Sequence, residues 1–103
     1  MCNRILKNIT CGIYRITDLI TNQCYIGQSV NISQRFKDHI KAGLGINNTN
    51  NKLYSAMLKD GVWNFSFELL EECSRDYLNE KEKYWIEMYN SSELGLNSNK
   101  GNG

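Results

Sequence analysis

The triplets Gly12-Ile13-Tyr14 and Tyr25-Ile26-Gly27 are the stretch of sequence that decides the expected fold. They flank a turn-rich segment, Ile20-Thr21-Asn22-Gln23, and predict a β-hairpin with strands over about residues 12–17 and 23–28. Residues at similar distances from a hairpin turn can lie close across the strands, so the two tyrosines can converge on one point. Most strand tyrosines are packing residues, and the triplets alone leave that alternative open.

Gly12 and Gly27, at the outer ends of the triplets, are unusual residues within strands. A strand glycine usually marks a β-bulge or the close approach of another backbone or a ligand. The two glycines therefore predict a β-bulge, or the close approach of another backbone or a ligand, at the outer ends of the triplets.

The region after the hairpin predicts two helices. Asn31 and Gln34 have the spacing of a capping box at the start of the first helix. The apolar stripe of that helix consists of Ile32, Phe36 and Ile40. The first helix is expected to end near residue 43 or 45, and a shorter second helix, over residues 52–60, is expected to end at Gly61.

A third strand and a third helix complete the order of elements. Residues 63–69 alternate strictly between apolar and polar side chains, which predicts a half-buried strand. The third helix is expected from about Arg75 to Tyr89, with Ser74 as its cap. The order ββααβα predicts an α+β fold with a small three-stranded antiparallel sheet flanked by helices. We expect one domain over residues 1–103, with its core at about residues 11–100.

Glu82 lies where the third helix is expected to carry an apolar side chain. Leu78, Trp85 and Tyr89 form the apolar stripe, and Glu82 lies about 40° from Leu78 at ~100° per residue. A core-facing carboxylate must be neutralised, paired with a cation or bound to a metal, because an isolated buried charge is costly. The alternative is a glutamate at the edge of the stripe that reaches solvent or pairs with an arginine.

Arg35 and His39 form a second candidate cluster. They are four residues apart, hence on one face of the first helix, beside its apolar stripe. An arginine beside a histidine suits a phosphate, because the guanidinium forks onto oxygens while the imidazole donates, accepts or relays a proton. The alternative is a surface arginine and a partly exposed histidine.

Composition is that of a soluble globular protein, with 41% apolar and 22% charged residues. No apolar run is long enough to span a membrane, and no secretory leader is evident, so we expect a cytoplasmic protein. The four cysteines show no CxxC spacing and favour free thiols over a zinc site. Although the net charge is only +1, residues 1–52 carry a balance of +5 and residues 53–103 a balance of −4. The basic half can face phosphates, but ordinary surface scatter explains the same distribution.

The chain resembles the catalytic domain of the GIY-YIG nuclease family over about residues 11–100. The resemblance rests on separated elements in the order of the family: the two triplets, Arg35, His39, Glu82 within Glu82-Lys83-Tyr84-Trp85-Ile86, and Asn97 after Gly95-Leu96. No site residue departs from the pattern of the family.

The resemblance implies a metal-dependent endonuclease that hydrolyses DNA phosphodiester bonds. It implies that Glu82 holds one Mg²⁺, for which Mn²⁺ can substitute, that Arg35 binds the scissile phosphate, and that Tyr14 acts on the attacking water. It also implies helper roles in orienting the phosphate, the water and the Tyr14 hydroxyl for Tyr25 and His39, and supporting roles for Gly12, Gly27 and Asn97.

The identity of the proton acceptor is open at this point. A free phenol with a pKa near 10 is a poor base at neutral pH. Tyr14 would need a pKa lowered by the cation or by Arg35, or His39 takes part of the role.

Two other classes of protein are alternatives to the enzyme. One is a catalytically silent module of the same fold that binds nucleic acid or another partner, and the other is a purely structural domain. The family resemblance also implies a separate DNA-binding module outside this chain, because no zinc motif, helix-turn-helix or basic arm is evident.

Overall fold

The computed structural model describes residues 10–45 and 51–98. Its elements are β1 (Gly12–Asp18), β2 (Cys24–Ser29), α1 (Ile32–Gly43), α2 (Lys52–Asp60), β3 (Phe65–Glu72) and α3 (Leu78–Tyr89). Short 3₁₀ turns at Val62–Asn64 and Arg75–Tyr77 precede β3 and α3. The predicted α+β fold and the order ββααβα are confirmed. No helix among these residues is long and apolar enough to cross a bilayer.

The sheet has the strand order β2-β1-β3, so the hairpin strand β1 lies in the middle. Both neighbours pair with β1 antiparallel, and the register sets Tyr14 opposite Gly27 and Ile16 opposite Tyr25. Cross-strand partners point to the same face of a sheet, and so do residues two apart on one strand. Tyr14 and Tyr25 therefore lie diagonally across the hairpin on one face, as the sequence predicts.

The pairing of β1 with β3 contains a bulge beside the first triplet. The register shifts between Ile13 and Tyr14, and the extra residue on β3 is Leu70. A Cβ atom at Gly12 would lie 2.2 Å from the carbonyl oxygen of Glu71. The predicted bulge and close backbone approach are confirmed, and only glycine leaves room for β3 at this point.

Helices cover both faces of the sheet and bury two apolar clusters. The face that carries Tyr14 packs against α1 and α2, through Ile16, Ile32, Ala42, Leu53 and Met57. The opposite face packs against α3, through Ile13, Cys24, Ile26, Leu78 and Ile86. The three cysteines within the described residues are free thiols, and Cys2 lies outside them.

Two predicted boundaries are wrong, and local turns explain both. The third strand begins at Phe65, because Gly61, with φ of 89°, opens a 3₁₀ turn that leaves Trp63 80% exposed. The third helix begins at Leu78 rather than Arg75, since residues 75–77 form a 3₁₀ turn. The side chain of Ser74 makes no capping hydrogen bond.

The cap of α1 is half of the predicted capping box. The Asn31 side chain accepts a hydrogen bond from the backbone N–H of Gln34, as expected. The reciprocal bond is absent within the described residues, because the Ser29 hydroxyl accepts from the N–H of Asn31 and the Gln34 amide donates to Asp38. The second helix has the predicted bounds, is capped by Asn51 and ends at Gly61.

Candidate active site

A line of three hydrogen-bonded side chains runs from the hairpin to α2. The Tyr14 hydroxyl lies 2.6 Å from Nε2 of His39, and the Tyr54 hydroxyl lies 2.7 Å from Nδ1 of the same ring. Tyr14 and His39 are each 1% exposed, and Tyr54 is 6% exposed. Both nitrogens of the imidazole are therefore paired with phenols in a buried environment.

The burial of His39 follows from the rotation of α1 on the sheet. The buried residues of the helix are Ile32, His39, Ala42 and Gly43, whereas Phe36 and Ile40 are only partly buried. The face of α1 that packs on the sheet is therefore centred nearer to His39 than to Phe36 and Ile40 of the predicted stripe. The alternative of a partly exposed histidine is wrong.

Tyr25 completes an aromatic cluster around the imidazole. Its ring centroid lies 6.2 Å from that of Tyr14 and 5.5 Å from that of His39. Phe36 packs edge-on against the Tyr14 ring at 5.3 Å. The two hairpin tyrosines converge on His39, and the aromatic rings around it limit the access of water.

Electrostatics keep the Tyr14 phenol protonated. Burial raises the pKa of Tyr14 well above the usual value of a phenol, the neighbouring Tyr25 adds to the increase, and the charge of Arg35 opposes it. Arg35 is half-buried on α1, one helical turn before His39. The sequence leaves two possibilities for the proton acceptor: a Tyr14 phenol with a lowered pKa, or a share of the role for His39. The buried environment of Tyr14 favours His39.

His39 is neutral at physiological pH. Burial, followed by the positive charge of Arg35, lowers the pKa of His39 to about 4. A neutral imidazole carries one N–H donor and one bare acceptor nitrogen. One of the two phenols must therefore donate to the ring while the other accepts from it.

Glu82 is buried on α3, only 9% exposed, between Leu78 and Ile86 on the same helical face. Its position among apolar residues agrees with the sequence, although the buried stripe is Leu78, Glu82 and Ile86 rather than Leu78, Trp85 and Tyr89. The Gln28 amide donates a 3.1 Å hydrogen bond to Oε1 of Glu82. The neighbouring Glu80 and Glu87 are exposed, as predicted.

A cavity of about 270 Å³ joins the carboxylate to the aromatic cluster at the outer edge of β2. Its lining consists of Tyr25, Gln28, Asn51, Glu82, Ile86, Leu96, Asn97 and Ser98. Tyr25 borders both the cavity and His39, so its ring links the cavity that Glu82 lines to the Tyr14–His39 pair. Among the described residues that line the cavity, Glu82 is the only acidic one.

Asn97 fastens the segment after α3 to the edge strand. Its side-chain oxygen accepts from the Ile26 N–H at 2.8 Å and from the Ser91 hydroxyl at 2.6 Å. Its side-chain N–H group donates to the Ile26 carbonyl at 2.9 Å. The N–H of Leu96 donates to the Cys24 carbonyl at 2.8 Å, so this segment is hydrogen-bonded to the outer edge of β2 at a second point. Asn97 therefore stabilises this wall of the cavity through side-chain hydrogen bonds.

Tyr54 is the site residue that the sequence did not single out. It lies on α2 next to Leu53, one turn before Met57, and all three are buried. Its position one residue from an apolar helical stripe is a signal of burial, since neighbours in a helix differ by only about 100°. That signal does not identify the partner, because the Tyr54–His39 contact depends on how α1 and α2 pack together.

Known proteins resemble this chain in both sequence and structure. Residues 10–97 match the model of the GIY-YIG catalytic domain. Intron-associated endonuclease 1 of Enterobacteria phage T4 is 32% identical over 88 residues, which covers 84% of this chain and 36% of the phage protein. The chain thus spans about a third of the length of that relative.

Two solved structures have the same fold. The catalytic domain of intron endonuclease I-TevI, as a glutamate-to-alanine mutant, has a TM-score of 0.79 and 28% identity, with 90% of this chain and 97% of that chain covered. A structure of the catalytic domain of homing endonuclease I-TevI has a TM-score of 0.75 and 30% identity, with 84% and 96% covered. With 88 of its 103 residues matched by the family model, this chain belongs to the GIY-YIG family.

Proposed function

We propose that this chain is the catalytic domain of a metal-dependent endonuclease that hydrolyses DNA phosphodiester bonds. The observation that carries the proposal is that Tyr25 adjoins two groups whose chemistry differs. It packs beside the hydrogen-bonded Tyr14–His39 pair, which can move a proton, and it lines the same cavity as the buried Glu82 carboxylate. The relationship to endonucleases supports nucleic acid as the substrate.

The residues around Glu82 fit one Mg²⁺ ion. Magnesium prefers oxygen ligands and usually keeps several waters, with one or two carboxylates and substrate phosphates completing its shell. Among the described residues, no group of three His, Cys, Asp or Glu side chains could enclose a metal. The cavity provides one carboxylate and neutral amide groups, a donor set that suits a partly hydrated Mg²⁺ or Mn²⁺. When bound, such a cation stabilises negative charge on the phosphoryl and leaving oxygens.

Arg35 is the residue that binds the scissile phosphate in this proposal. Its guanidinium is half-buried beside Tyr14, and its charge acts on Tyr14, Tyr25 and His39. A planar guanidinium can donate two parallel hydrogen bonds to phosphate oxygens. Arg35 would therefore hold the phosphate next to the Tyr14 hydroxyl.

Tyr14 serves as a proton relay and His39 as the final acceptor. Because the pKa of Tyr14 is raised, the phenol is not ionised at neutral pH. The Tyr14 hydroxyl must therefore give up its own proton at the same time as it accepts a proton from the water. The attacking water gives one proton to the Tyr14 oxygen, while the Tyr14 proton passes to Nε2 of His39 along a hydrogen bond with an oxygen-to-nitrogen distance of 2.6 Å. Burial first, and then the positive charge of Arg35, lowers the pKa of His39. A phosphate anion bound at Arg35 offsets the second of these causes and so favours the imidazolium product.

The proposal is tested with Glu82→Gln and the matched control Glu80→Gln, which makes the same change at an exposed position of the same helix. We expect Glu82→Gln to lose cleavage of plasmid DNA by orders of magnitude and to lose the rise in thermal unfolding temperature on addition of Mg²⁺. Glu80→Gln should retain both, and EDTA should abolish cleavage by the wild type. Wild-type cleavage by Glu82→Gln would refute the metal assignment, and wild-type cleavage by Tyr14→Phe would refute the relay.

A further inference from the structure

We propose that Tyr54 is a positioning residue that determines which nitrogen of His39 carries the proton. In this role its hydroxyl accepts a hydrogen bond from Nδ1–H and leaves Nε2 bare to receive the proton of Tyr14. The inference deepens the proposed function and rests on it for its catalytic consequence.

The geometry allows only two arrangements of protons. The ring of His39 is 1% exposed and both nitrogens lie within 2.7 Å of a phenol oxygen, so water does not compete for either nitrogen. Either Tyr14 donates to Nε2 and Nδ1–H donates to Tyr54, or both bonds run in the reverse direction. Only the first arrangement has Tyr14 ready to pass its proton to His39.

The charge of Arg35 acts on both phenols but more strongly on Tyr14 than on Tyr54, and it therefore favours the first arrangement. A positive charge beside a phenol attracts the lone pairs of its oxygen and repels its hydroxyl proton. The Tyr14 proton is then directed towards Nε2, and the neutral ring must carry its own proton on Nδ1. This proton needs an acceptor in a buried place, and the Tyr54 oxygen lies 2.7 Å from Nδ1.

The change Tyr54→Phe removes that acceptor without changing the shape of the ring. A buried N–H without a partner is more unfavourable than an unfilled acceptor. The proton of His39 is therefore expected to move to Nε2, where it donates to the Tyr14 oxygen. In that tautomer Tyr14 faces a donor and cannot pass on its proton.

The tautomer can be read directly by NMR, because His39 is the only histidine of the chain. In a long-range ¹H–¹⁵N spectrum at neutral pH, we expect a protonated Nδ1 and a bare Nε2 in the wild type, and the reverse in Tyr54→Phe. The control is Tyr77→Phe, the same change at an exposed position, which should keep the wild-type spectrum. A wild type protonated on Nε2, or an unchanged tautomer in Tyr54→Phe, would overturn the proposal.

Cleavage kinetics supply the second readout. We expect Tyr54→Phe to lower kcat at least tenfold with little change in KM, and the control to retain the wild-type kcat. Wild-type kcat in Tyr54→Phe would overturn the catalytic role. If the wild type itself cleaves no DNA, the proposed function fails, whereas the NMR result still decides the role of Tyr54 in setting the tautomer.

Discussion

Gly27 is the cross-strand partner of Tyr14, and the end of the Tyr14 ring occupies the space that a side chain at residue 27 would need. A Cβ atom at residue 27 would lie 2.3 Å from the Tyr14 hydroxyl oxygen and 2.4 Å from its Cζ atom. These distances are far inside van der Waals contact, so a side chain here would displace the end of the ring that reaches His39. The glycine of the second triplet is thus a steric requirement of the tyrosine of the first.

The first prediction concerns this contact. Gly27→Ala should destabilise the fold by about 1–3 kcal/mol through overpacking and should lower cleavage, because the ring cannot keep its 2.6 Å bond to His39. Denaturant unfolding of the four proteins of a double-mutant cycle measures the coupling. In the Tyr14→Ala background, Gly27→Ala should lower the unfolding free energy by much less. An equal cost in both backgrounds would contradict the steric explanation.

The second prediction concerns the hydrogen bonds of the Asn97 side chain to the backbone of Ile26. Asn97→Ala should lower the unfolding free energy by about 2–4 kcal/mol, because the Ile26 N–H and carbonyl lose their side-chain partners in a buried place. Urea denaturation measures the change, and Ser98→Ala, at the exposed neighbour, is the control. A loss no larger than that of the control would show that water replaces both bonds.

The third prediction follows from the pKa of His39, which is lowered from 6.5 to about 4. Between these values the unfolded chain binds a proton that the folded chain does not, so this contribution is present above pH 6.5 and is lost as the pH falls towards 4. The contribution is about 3 kcal/mol between pH 7 and pH 4. The unfolding free energy of the wild type should therefore fall more steeply with acid than that of His39→Gln. Parallel pH dependences of the two proteins would contradict a buried, neutral histidine.

The fourth prediction is that this chain alone binds duplex DNA weakly and with little sequence preference. Its net charge is +1, and the balance of +5 over residues 1–52 can neutralise only a few phosphates. Each contact contributes roughly −0.9 to the slope of log K against log salt, so the slope should be shallow. Titrations of a defined and a scrambled duplex across salt concentrations test this. Tight, selective binding at physiological salt would place the recognition element within these 103 residues.

Local patterns in the sequence were enough to predict the elements of this protein. Alternation and turn residues predicted the hairpin, and capping and periodicity predicted α1 and the bounds of α2. The closeness of Glu82 to the apolar stripe of α3 was also visible, since the angle between residues on one helix is fixed by the helix itself, although an edge position stayed open. The strand glycines also indicated close contacts, because the absence of a side chain can be read directly from the sequence.

Packing between elements decided the rest of the site. Periodicity predicts that a helix has an apolar face, but the rotation of that face on the sheet depends on the side chains opposite. His39 became buried and the α3 stripe moved to Ile86 for this reason. The contact of Tyr54 with His39 joins two helices across a loop, and no spacing within either helix encodes it. The sequence by itself determined which elements form and that Glu82 lies at the apolar face of α3 or at its edge, whereas only the tertiary structure decided that Glu82 is buried and which side chains share the protons of His39.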